Sequence, residues 1–195
     1  ELGAFNWIRT KEEALEITLY SETVTVQLEN DFLPFLYPNQ YVNFTPDSKA
    51  SQLALSLIDE DTVDVDALQQ IYDYVVSNLT YDYEKADTVT TGYLPDVDET
   101  LKTGTGICFD YAALTTAMLR SCDIPCKLQI GYAGDIKHAW IDVYIRSKGW
   151  VNQAVSFKGD TWTLMDPTFD SNSDDKEAIQ DYIGDESNYT VQFTR

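Results

Sequence analysis

Positive charge is what this chain has least of. Its 13 lysines and arginines stand against 33 aspartates and glutamates, a formal net charge of −20 at neutral pH. Phosphate backbones and acidic bilayers are gripped by clustered Lys and Arg, so nucleic acid and an anionic membrane surface are excluded as partners. The acidic surface serves solubility and suits a basic or neutral polypeptide partner. Long apolar runs are lacking as well: no stretch reaches the ~18–20 residues that a membrane-spanning helix needs. Histidine is nearly absent, His138 being the single instance. One imidazole and three cysteines at this spacing do not supply the four ligands of a structural zinc site, and no metal or other cofactor is expected. With cysteines few and odd in number, one is expected to be kept as a free thiol. Cys122 and Cys126 are either a disulfide, in an oxidising compartment, or two buried thiols; the second is favoured because a bridge would close a very short, strained loop. No leader peptide is visible; the sequence starts at Glu1 rather than Met, so a removed leader would not show.

What is present suffices for a packed core. A hydrophobic fraction of 44% and an aromatic fraction of 13% over 195 residues fit one domain with a small N-terminal annex. Its focus is Gly104-Thr105-Gly106-Ile107-Cys108-Phe109-Asp110-Tyr111-Ala112. The glycines allow a sharp path and close approach of another group. They deliver Cys108 to the first turn of a helix expected over about 108–120, where Ala113, Leu114, Ala117 and Met118 recur on one apolar side. A thiol there faces the positive end of the macrodipole and unpaired N–H groups, which favours the nucleophilic thiolate. A thiol nucleophile needs a base, and the base needs a third group to fix its tautomer. His138 in Lys137-His138-Ala139-Trp140 and Asp166 in Leu164-Met165-Asp166-Pro167-Thr168 complete such a set.

Taken together, Gly106-Ile107-Cys108-Phe109-Asp110-Tyr111-Ala112, Met118-Leu119-Arg120, Ile124-Pro125-Cys126-Lys127, His138-Ala139-Trp140 and Asp166-Pro167-Thr168 resemble the transglutaminase-like superfamily, a branch of the papain-like cysteine hydrolase fold. The resemblance covers residues 48–170. It implies an α+β core at 48–170, flanked by annexes at 1–47 and 171–195. In that core the helix bearing Cys108 packs on an antiparallel sheet bearing His138 and Asp166. It implies Cys108 as nucleophile, His138 as general base and Asp166 as orienting carboxylate. Bacterial members are often exported or lipid-anchored, so an extracytoplasmic place at the cell surface is expected. Animal cross-linking relatives carry Gln before and Trp after the cysteine; here Ile107 and Phe109 stand there, which tilts the expectation toward hydrolysis.

The rest of the chain is less explicit. Over residues 10–20 a capping box of Thr10 and Glu13 argues for a helix, while alternating Leu15, Ile17 and Leu19 argue for a strand. Residues 23–28 alternate as a strand. Residues 31–46, with prolines among Phe32, Phe35, Tyr37, Tyr41 and Phe44, read as an ordered loop packed on the body, or as an aromatic-lined substrate groove. A helix is expected over 48–58. Another follows from the spacing of Leu68, Ile71, Tyr72, Val75, Val76 and Leu79, with Asp64 and Asp66 at its start. The family has such a helix, ending in a Tyr-Asp pair matched by Tyr81-Asp82. Residues 84–103 read as a long polar loop beside the site. Strands are expected over 127–133, 139–145, 150–157 and 161–165, joined by hairpin turns, with His138 opening the second and Asp166 closing the last. Trp140 either packs over the site or serves the core. Residues 170–175 partly resemble a calcium loop, but Asp175 occupies the place that needs glycine. Tyr189, Val191 and Phe193 alternate as a terminal strand.

The implied chemistry is acyl transfer. The thiolate attacks a carboxamide or peptide carbonyl, a thioester forms while His138 protonates the departing amine, and water or a second amine resolves it. The substrate is a polypeptide or a peptidoglycan-type amide. The oxyanion needs donors: the Cys108 N–H is one, and Tyr81, Tyr83 or Tyr93 is the candidate second, Tyr93 foremost. Two rival readings are an idle envelope scaffold of the same fold and a redox protein using Cys122 and Cys126, whose spacing is one residue too long for the usual motif.

Overall fold

The computed structural model describes residues 2–9, 14–22, 25, 27–59, 61–152, 155–158, 161–164 and 189–195. They fall into two compact units, Glu1–Asp31 and Phe32–Arg195.

In the first unit β1 (Leu2–Arg9) and β2 (Ala14–Glu22) form an antiparallel pair with an irregularity between Ala4 and Phe5. The choice left open over 10–20 is thereby settled for residues 14–20 in favour of a strand. Period-two alternation with Ile17, Thr18 and Tyr20, residues that fit a pleated surface, outweighs one capping pair. The strand expected over 23–28 lies partly outside the described residues; Thr25, Gln27 and Leu28 carry no regular structure.

The second unit is built around one helix. Before it come α1 (Lys49–Leu57), α2 (Asp64–Asn78) and β3 (Thr80–Tyr81). Then follow α3 (Tyr83–Thr88), α4 (Val97–Thr103) and β4 (Thr105–Gly106), and then α5 (Cys108–Ser121) itself. Residues 111–119 of α5 are all buried, its threonines included. The sequence shows one apolar side; the structure covers every side, with α1, α2 and α4 packed around it and a sheet beneath. Small residues make this possible: Ala112, Ala113 and Ala117 let neighbours approach. Thr115 returns its hydroxyl to the Tyr111 carbonyl, 2.8 Å away.

That sheet holds β5 (Cys126–Ala133), β6 (Ile136–Ile145), β7 (Gly149–Val151) and β10 (Tyr189–Thr194), in the order β10-β5-β6-β7 and antiparallel throughout. A separate hairpin joins β8 (Val155–Lys158) to β9 (Thr161–Leu164). The single strand expected over 150–157 is thus two, because its first part pairs with β6 and its second with β9. The terminal strand is present, but it completes the sheet edge beside β5 rather than standing apart. Strand β6 begins at Ile136, so His138 lies inside it rather than at its start.

The polar stretch 84–103, read as a loop, carries α3 and α4. Neither has apolar periodicity, and each is started by a cap instead. The Asp82 side chain accepts from the Lys85 N–H, and Asp96 accepts from those of Asp98 and Glu99. Asp98 in turn accepts from the Ala50 N–H at the start of α1, 3.0 Å away.

Residues 32–46 pack as their aromatics predict. The Phe32 and Tyr144 ring centroids are 4.4 Å apart, Phe35 meets Trp150 edge-on at 5.4 Å, and Lys127 lies 3.7 Å above the Trp150 ring. Val42 and Phe44 are buried. Arg120, buried near the end of α5, donates to the carbonyls of Cys126 and Tyr37 and to the main-chain oxygen of Arg195, tying this loop and β10 to the helix. Burial lowers its pKa.

Candidate active site

The start of α5 is held by backbone first. Strands β3 and β4 pair in parallel, so Thr80 donates to the Gly104 carbonyl and Asp82 to that of Gly106, both at 2.9 Å. Gly104 ends α4 with φ of 64°, a left-handed turn that glycine takes without strain. Gly106 has a different reason: a Cβ there would come within 2.6 Å of Asp110 Cβ. The absent side chain lets Asp110 fold back toward the main chain. Ile107, extended at φ −98° and ψ 173°, is the N-cap, and Cys108 is the first residue of the helix, half-buried against the core.

Asp110 is fully buried. Its carboxylate accepts from the Ile107 N–H at 2.8 Å, from Lys85 Nζ at 2.7 Å and from the Tyr93 hydroxyl. Lys85 Nζ also donates to the Tyr93 oxygen at 2.7 Å. Burial alone would lower the lysine; its bonds to Asp110 and Tyr93 outweigh that and raise its pKa, so it is charged at neutral pH. Burial, then the bond to Asp110, raises the Tyr93 phenol, which stays a donor.

His138 is buried on β6, its ring stacked on Trp140 with centroids 6.2 Å apart and an interplanar angle of 16°, and tilted against Tyr189 at 6.4 Å. Ala139, Ile141, Val143 and Ile145 join the core shared with α5. His138, Trp140 and Asp142 occupy the alternate positions of the strand. Helix α5 packs on both β5 and β6. Cys126, at the start of β5, donates to Thr116, and β5 then returns along the helix. Gly131 is the partner of His138 across the sheet.

Of the expected site residues, the structure joins Tyr93 to the start of α5 through Asp110, and His138 to Trp140. Tyr83 is largely exposed and meets Tyr81 edge-on at 5.0 Å. Asp166 and the calcium-like stretch after it lie outside the described residues. The other two thiols are free, and burial shapes both: it pushes Cys122 up to about 11, with Asp123 adding to the effect, and Cys126 up to about 12. Among the described residues no cluster of His, Cys, Asp and Glu is arranged to hold a metal ion, and no helix is long and apolar enough to cross a membrane.

Sequence reasoning missed Lys85 and the part played by Asp110. Asp110 sits in the quoted motif, at the place where an acidic side chain can cap a helix start. Lys85 is 25 positions away and carries no such mark.

The family model of the transglutaminase-like superfamily matches residues 51–167, and the chain belongs to that superfamily. The UPF0252 protein MJ1282 of Methanocaldococcus jannaschii is 28% identical over 120 residues, covering 58% of this chain and 32% of that protein, so the chain spans about a third of this relative's length. Among solved structures, a presumed cysteine protease from Cytophaga hutchinsonii matches at a TM-score of 0.57 with 19% identity, over 100% of this chain and 67% of its own. The periplasmic domain of TgpA from Pseudomonas aeruginosa matches at 0.47 with 19% identity, over 66% of this chain and 46% of its own. At 19% identity the first of these likenesses is one of fold alone.

Proposed function

We propose that this protein performs cysteine-dependent acyl transfer on peptide or amide substrates, with Cys108 as nucleophile, His138 as general base and Asp166 as the carboxylate that orients it. One observation carries the reading. Of the three thiols, burial holds Cys122 and Cys126 in the protonated form, while Cys108 stands half-buried on the first turn of α5. The positive end of the helix dipole favours an anion there, whether thiolate or oxyanion. The packing of α5 on β6 supports His138 as partner, and its contacts with Trp140 and Tyr189 fix the ring plane.

In this mechanism His138 takes the thiol proton, Cys108 attacks the carbonyl carbon, and the imidazolium returns the proton to the departing amine. The Cys108 N–H is one oxyanion donor. The Tyr93 hydroxyl is occupied by Asp110, so its contribution as second donor would require it to leave that carboxylate. Water resolves the thioester in our reading, because Ile107 and Phe109 replace the residues that flank the cysteine in cross-linking relatives. An extracytoplasmic place belongs to the same proposal; cell fractionation tests it.

The deciding experiment is iodoacetamide labelling with peptide mapping across pH, on the wild type and on His138→Ala. Cys108 should label first at neutral pH, and the substitution should slow it about tenfold or more. Preferential labelling of Cys122 would overturn the assignment. A peptide library incubated with wild type and Cys108→Ala, read by mass spectrometry, then separates cleavage from deamidation and from amine transfer.

A further inference from the structure

Two residues past Cys108, the structure buries a charge that the proposed mechanism does not use. Asp110 has no solvent exposure, and an anion beside a nucleophilic sulfur works against both the thiolate and the oxyanion that follows. It is nevertheless in place, folded over Gly106, holding the Ile107 N–H at 2.8 Å and so fixing the backbone that immediately precedes Cys108. What offsets it comes from outside the helix: Lys85 of α3 at 2.7 Å and the Tyr93 hydroxyl.

We infer that Lys85 and Tyr93 are positioning residues for Cys108, acting through Asp110: they anchor and neutralise the carboxylate that shapes the start of α5, so that this helix end still accepts negative charge on the sulfur. The inference rests on Cys108 being the nucleophile. Among the described residues, several charged and titratable groups on the surrounding elements have partners of their own. Asp98 of α4 accepts from the Ala50 N–H, Asp64 of α2 is paired with Arg146, and Cys126 of β5 donates to Thr116. Tyr81 meets Tyr83 edge-on, and Tyr41 stands against Phe109. His138 of β6 is the base of the proposed pair.

The test needs no substrate. Cys108 alkylation by iodoacetamide is followed against pH, with peptide mapping, and thermal unfolding reports the fold of each variant. Lys85→Met should raise the midpoint of the labelling curve by about one pH unit, a roughly tenfold loss of rate below it. Lys85→Arg should behave as wild type. The double variant Lys85→Met, Asp110→Asn should return the midpoint to within about 0.3 units, because neither charge remains. Tyr93→Phe should slow labelling about threefold with the midpoint in place, since a neutral donor is lost. Asp110→Asn alone, leaving Lys85 uncompensated, should lower the midpoint, and its sign decides the matter if Lys85→Met does not fold. A purely structural role predicts slower labelling in all these variants with no opposite-signed shifts, and that result overturns the inference. If Cys108 labels fast in the wild type but ignores Lys85 and Asp110, the inference alone falls. If Cys108 labels no faster than Cys122, the acyl-transfer reading falls with it.

Discussion

The two ends of α5 each bury a charge, and they use it differently. At the C-terminal end Arg120 spends its donors on the carbonyl oxygens of Cys126 and Tyr37 and on the main-chain oxygen of Arg195. Every partner is backbone, and three separate segments are tied down. At the N-terminal end Asp110 receives one backbone N–H and two side chains, one of them an ammonium. Both charges complement the helix dipole in the sense expected: negative at the start, positive at the finish. The difference is what stands beside them. Two positions before Asp110 is a half-buried thiol on the first turn; near Arg120 is Cys126, fully buried and held protonated. One end is closed over its thiol; the other leaves its thiol half-buried, where the proposed function places the nucleophile.

The strongest way to break this contrast is to remove the thiol. Cys108→Ala should abolish turnover of any substrate found by the peptide screen, by about 10³-fold or more, with unfolding temperature nearly unchanged. The opposite signature is expected at the other end. Arg120→Met leaves buried carbonyls without donors and should cost about 3 kcal/mol or more of stability in denaturant unfolding, while Cys108 in the folded fraction keeps its labelling rate. Gly106→Ala sharpens the comparison, because its Cβ would crowd Asp110 Cβ at 2.6 Å. It should lose about 1–3 kcal/mol and also slow Cys108 labelling, coupling stability to reactivity at this end alone. The smallest effect concerns alkali. Burial raises Cys126 from an ordinary 9.0 to about 12, so its protonated form stabilises the fold fully below pH ~9, and that contribution is lost as pH rises through 12. Cys126→Ala should therefore show a shallower fall in stability over that range, and a fall as steep as the wild type's would contradict the assignment.

Much of this arrangement was legible in the sequence. The glycine turn, Cys108 on a first helical turn, the apolar rows of α2 and α5, and the alternating strands β5 and β6 all express periodicity or local turn chemistry, which act over a few residues. What was not legible depends on distance or on partners. The helices α3 and α4 are held by Asp82 and Asp96 caps rather than by an apolar stripe, so hydrophobic spacing is silent about them. The division of 150–157 into β7 and β8 is a change of pairing partner, which no local pattern encodes. Lys85 meets Asp110 because the β3–β4 pairing brings the start of α3 beside the glycine turn. A lysine in a polar stretch reads as solvated surface until that pairing is known.

One consequence follows from how β10 is seated. A side chain at Gly131 would overlap the Thr190 carbonyl, so the outermost strand lies tightly on its neighbour at this point. The guanidinium of Arg120 draws one of its acceptors from this same strand's end, 75 positions downstream. During synthesis, then, α5 is made with a buried cation still short of one acceptor, which arrives only with the residues of β10 and Arg195. Any truncation or mid-sequence stall that withholds them should leave the main helix under-satisfied at its far end, however completely its own turns have formed.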